Sequence, residues 1–253
     1  MPQKMNKVGE INKSNQGYMM TIIKYYDYHN IEIMFNDERN TVVHADYSAF
    51  QKGKVKNPYH KTLFNLGYIG DTLTVDSNGK RKESYYSWKR MLKRCYDEQS
   101  KYNTYKDCTV CEEWLCYANF EKWFDENYYE IDGERTELDK DILLKGNKVY
   151  SPITCVFVPK NINALFEKSN KIRNSFYIGV RQHSKYKNKY MAECSDGHNK
   201  NKYLGIFDNP KEAFYAYKTH KENLIKEIAE KYKESIPNKL YEAMFNYKVE
   251  MTD

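Results

Sequence analysis

Tyr177-Ile178-Gly179-Val180-Arg181, then Lys189-Tyr190-Met191-Ala192-Glu193-Cys194, then Lys202-Tyr203-Leu204-Gly205-Ile206-Phe207 read as three short strands in succession. The first and third are rich in β-branched and aromatic residues, and all three are bounded by polar loop residues. Gly197-His198-Asn199 predicts the turn between the second and third. Asp208-Asn209-Pro210 predicts a helix start, with Asn209 as N-cap and Pro210 in the first turn. The helix carries Ala213, Phe214, Ala216, Tyr217 and His220 and runs to Tyr232, and a shorter one follows over 239–245. Strand side chains alternate between faces. That alternation sends Ile178, Val180, Met191 and Leu204 toward the helix and leaves Tyr177, Gly179, Arg181 and Tyr190 facing out. A three-stranded antiparallel sheet packed on a helix is the expectation, which makes the chain α+β.

Upstream, the pattern changes twice. Met19 to Tyr25, Ile31 to Phe35 and Thr41 to His44 read as three short strands of a small β module over 18–60. Residues 1–17 read as a flexible lead. Over 84–124 the spacing of Trp88, Met91, Leu92, Cys95 and Tyr96 is helical, with Lys89, Arg90, Lys93 and Arg94 on the outer face. Trp114, Phe120, Trp123 and Phe124 form the apolar face of a second helical stretch. Lys145-Gly146-Asn147-Lys148 reads as a turn, the run from Cys155 to Pro159 as a strand, and 161–166 as a short helix.

The 253 residues carry 25 Tyr, 11 Phe and 3 Trp, far too many aromatics for a disordered chain. No apolar run is long enough to span a membrane. The polar start predicts no secretory signal and a cytoplasmic protein. Net charge is +6, unevenly distributed. Residues 80–106 sum to +6, residues 107–141 to −9 and residues 160–233 to +8. Two basic blocks interleaved with tyrosine point to a polyanion, most simply nucleic acid. The glycines are scattered, with no phosphate-cradling loop.

On the residues just quoted, 175–230 resembles the plant ethylene-response-factor (APETALA-type) DNA-binding domain, which also occurs in phage and mobile-element proteins. The resemblance rests on Gly179-Val180-Arg181, Lys189 to Glu193, Tyr203 to Phe207, and the helix with Glu212-Ala213 and Ala216-Tyr217. It implies a sheet laid in the major groove of double-stranded DNA, with Arg181, Lys189, Tyr190, Glu193 and Lys202 on or beside the DNA-facing side. Tyr190 stands where many members have tryptophan. Lys89, Arg90, Lys93 and Arg94 would add phosphate contacts.

Residues 84–163 resemble a phage domain related to HNH endonucleases, on Trp88, Met91, Arg94-Cys95-Tyr96, Val110 to Trp114, Phe120, Leu138-Asp139-Lys140, Tyr150-Ser151-Pro152, Cys155 and Asn161. The implied organisation is an HNH-related domain over 61–168, the sheet–helix domain over 175–233, and a C-terminal helix and tail over 234–253. Phage relatives join these two units, which implies the cytoplasm of a bacterial host.

An HNH nuclease needs a histidine base and a divalent metal. Lys140 stands where the histidine belongs, and no histidine lies between residues 61 and 182. Asp139 and Asp141 are the candidate Mg²⁺ ligands if the chain cuts DNA, yet both are equally suited to capping turns or pairing with lysine. Cys95, Cys108, Cys111 and Cys155 are the candidate set for a structural zinc, Cys108 and Cys111 supplying half of such a site; the alternative is core packing. The favoured function is DNA binding. The alternatives are an HNH-type endonuclease and a phage inhibitor of a host defence protein acting through the acidic 107–141 segment.

Overall fold

A computed structural model of the chain describes residues 7–97, 105, 107–166, 176–196 and 201–253. The turn expected over 197–199 lies outside them. The architecture is α+β. Packing divides the chain into two units: Met1–Lys93 with Glu112–Glu121, and Arg94–Cys111 with Lys122–Asp253. The sequence-based boundaries at residues 61 and 168 do not coincide with this division. Among the described residues no helix is long and apolar enough to cross a membrane.

The first unit begins with β1 (Ile11–Lys13), β2 (Met19–Asp27), β3 (Asn30–Phe35) and β4 (Val42–Ala45), an antiparallel sheet in that order. The expected strands are β2 to β4. β1 lies within the expected lead and pairs Ile11 with Thr21 and Lys13 with Met19. Its three residues are too few, and two are too polar, to raise a strand pattern. Met20, Ile22, Ile31, Ile33 and Phe35 form the sheet's inner face with Tyr47 and Phe50 of α1 (Tyr47–Gln51).

The same unit holds the first turns of α2 (Glu83–Tyr96), a 3₁₀ turn (Glu112–Leu115) and the start of α3 (Tyr117–Asn127). Trp88, Met91, Leu92, Trp114, Tyr117 and Phe120 are buried there. Trp88 Nε1 donates to the Trp114 carbonyl at 2.7 Å. The Glu121 carboxylate accepts from Lys82 Nζ at 2.8 Å, from the Tyr117 hydroxyl at 2.9 Å and from Thr72 Oγ1. Glu121 is buried, so these bonds replace the water its charge has lost.

In the second unit, β5 (Thr109–Val110) runs parallel to β7 (Val149–Tyr150), and β6 (Thr136–Asp139) pairs antiparallel with β8 (Val156–Pro159), which leads directly into α4 (Lys160–Phe166). Then come β9 (Val180–Gln182), β10 (Tyr190–Ser195) and β11 (Asn201–Phe207), antiparallel with β10 central. α5 (Pro210–Tyr232) and α6 (Asn238–Phe245) complete it. Asn209 caps α5, its side chain accepting from the Glu212 N–H at 2.9 Å. α5 serves two cores. Its first half, with Ala213, Phe214 and Tyr217, covers the three-stranded sheet. Its second half, with Ile225 and Ala229, packs with Val158, Ile162, Leu165, Leu240 and Met244. That sharing is why 122–166 groups with the C-terminal segment and not with the residues before it.

Candidate nucleic-acid interface

The inner face of the three-stranded sheet is set by what lets α5 approach. Ala192 and Cys194 on β10 are fully buried beneath it, beside Val180. Gly179 has φ +74°, and an added Cβ there would lie 2.5 Å from Tyr217 Cε2, so only glycine fits under that ring. Cross-strand partners share a face. Arg181, Met191 and Ile206 are in register across the three strands, one step out of phase with Val180 and Ala192, and so form a row on the open face. The next row on that face pairs Glu193 with Tyr203. A bulge between these rows leaves Leu204 extra on β11.

This reverses part of the expected alternation. Met191, expected inside, is on the open face, and Tyr190, expected outside, is on the helix side, edge-on to Phe176 at 5.3 Å. Lys202 pairs with Cys194 and therefore also stands on the helix side, where its charge reaches His220. Neither Tyr190 nor Lys202 belongs to the open face. Arg181 does: it is 54% exposed and bonded to Glu193 at 2.5 Å. Lys189 sits at the margin, paired with Asp208. Lys185 and Lys187, in the loop from β9 to β10, are exposed, as are Tyr186 and Tyr203. Met191, Ile206 and Tyr203 were not identified from the sequence as interface residues. The small size of Ala192 and Cys194 beside a helix was the available signal.

On α2, Lys89, Arg90 and Lys93 are exposed as expected, with Arg90 bonded to Glu83 at 2.6 Å. Arg94 departs from the expectation. It turns into the second unit, with its guanidinium 5.5 Å from the centre of the Tyr105 ring and beside Tyr150. Lys140 is buried in the same place, its ammonium 5.6 Å from the Tyr105 ring and 5.8 Å from the Tyr150 ring. Both cations are held by aromatic faces and by nearby carboxylates.

Asp139 and Asp141 flank Lys140. Asp139 Oδ1 accepts from the backbone N–H groups of Asp141 at 2.8 Å and Ile142 at 2.7 Å, capping the turn after β6. Burial, and then the Asp141 charge, push its carboxyl up to about 6. Asp141 pairs with Lys140 at 3.4 Å. Burial pushes Cys95 and Cys155 up to about 12. Among the described residues no group of three or more His, Cys, Asp or Glu side chains converges to hold a metal ion.

No protein-family model, curated protein or solved structure matches the chain.

Proposed function

We propose that the chain binds double-stranded DNA, with the open face of the β9–β10–β11 sheet in the major groove. The observation that carries this reading is the open-face row of exposed Arg181, half-buried Met191 and exposed Ile206, next to Lys185, Lys187 and Lys189 of the β9–β10 loop and its end. A small β-sheet or ribbon fits the major groove, where arginine reads guanine and lysine binds phosphate. Arg181 pairs with Glu193 and Lys189 with Asp208, and binding of phosphate or base would exchange these ion pairs for contacts to DNA. The exposed Lys89, Arg90 and Lys93 give the first unit its own positive stripe for phosphates. Binding without cleavage is the reading, because Asp139 is engaged in capping a turn and the HNH resemblance would put Lys140 where a histidine base belongs.

The test is fluorescence anisotropy on duplex DNA across a salt series. Affinity should fall linearly on a log–log plot, by about 0.9 in slope for each phosphate contact. Arg181→Ala should cost about 1–3 kcal/mol if it reads a base. No binding at low salt, or full affinity in Arg181→Ala with Lys189→Ala, overturns the proposal.

A further inference from the structure

The open face has an unusual centre for a basic surface. Met191 and Ile206 are cross-strand partners in its middle, and Ile206 is 42% exposed. Arg181 stands at the end of their row, and Lys185, Lys187 and Lys189 follow in and beside the β9–β10 loop, with Glu193 and Asp208 as the acidic partners of Arg181 and Lys189. Three strands span about 10 Å, and six residues of β10 run about 20 Å. That patch is well short of the roughly 800 Å² per partner of a stable protein–protein contact. Its width does match the major groove, about 12 Å across. The apolar group a major groove presents is the C5-methyl of thymine.

Resting on the DNA-binding reading, we infer that Met191 and Ile206 contact thymine methyl groups, so that the sheet recognises thymine-containing sites. Arg181, at the end of the same row, faces an adjacent base pair. A Met–Ile pair has no hydrogen-bond donor, and the Met191 thioether is only a weak acceptor, so the pair offers a base edge mainly apolar contact. Discrimination at this position therefore comes chiefly from the methyl group.

The experiment selects bound sequences from a randomised duplex pool and then prepares the enriched duplex twice, with thymine and with uracil. Full-length protein should bind the uracil duplex about fourfold more weakly for each methyl contacted. In Met191→Ala with Ile206→Ala the thymine and uracil duplexes should bind alike. Arg181→Ala should weaken both duplexes together and leave their ratio unchanged. Met191 and Ile206 lie outside the core, and circular dichroism checks that the double variant stays folded. Equal binding of the two duplexes by the unmodified protein overturns the methyl inference and leaves DNA binding standing. Failure to bind any duplex overturns both.

Discussion

Gly179→Ala should destabilise the second unit far more than an alanine at a glycine of similar backbone conformation. Gly179 has φ +74°, which costs an alanine about 1–2 kcal/mol. The new methyl would also lie 2.5 Å from Tyr217 Cε2 and closer still to Cγ and Cδ2. Those atoms are at the root of a ring that is 6% exposed and packed beside Phe214, so the ring cannot swing aside cheaply. Forcing extra volume into such a site costs about 1–3 kcal/mol more. The total is about 2–5 kcal/mol, a large part of a typical domain's stability. Gly146 supplies the control: its φ is +80° and nothing lies within 4 Å of an added Cβ, so Gly146→Ala should cost only about 1–2 kcal/mol. Urea unfolding followed by circular dichroism measures both. In a Tyr217→Ala background the extra penalty at Gly179 should vanish. Equal midpoints for Gly179→Ala and Gly146→Ala would refute the close-approach argument.

Asn209→Ala removes the side-chain acceptor for the Glu212 N–H and should cost about 1 kcal/mol by urea unfolding, with Asn209→Ser near neutral; equal losses for the two would count against the cap. Glu121→Ala strands Lys82, Tyr117 and Thr72 around a vacated carboxylate site and should cost about 2–4 kcal/mol, which an unchanged urea midpoint would disprove. The folded protein holds the Asp139 proton to about pH 6, whereas an unfolded aspartate loses it near pH 4. The stability this group contributes is therefore complete below about pH 4 and declines as pH rises to about 6. Asp139→Asn keeps an oxygen for the Asp141 and Ile142 N–H groups and should flatten that decline; an identical pH profile would show that another group causes it.

Much of the C-terminal fold was legible because strong local signals agreed. The Asn209-Pro210 start, the helix to Tyr232 and the three strands stand where periodicity and capping put them. The facing of β10 was not legible. Met191 is more apolar than Ala192, so a hydrophobic pattern turns Met191 inward. The structure instead buries Ala192 and Cys194, because only small side chains let Phe214 and Tyr217 settle on the strand. Arg94 misled in the opposite sense. A charged residue between apolar ones reads as solvent-facing, yet the Tyr105 and Tyr150 rings give its guanidinium a place inside. β6 went unread because Thr136–Asp139 is mostly polar and gains its pairing from β8, about twenty residues further along.

The two packed units are interleaved along the chain, which passes between them at Lys93–Arg94, at Cys111–Glu112 and at Glu121–Lys122. A recombination event that joined this gene to another within that stretch would divide both units. A fragment ending at residue 93 would carry Trp88 without the Trp114 carbonyl that its indole bonds. During synthesis, the N-terminal sheet must wait until residue 121 has left the ribosome before its unit is complete.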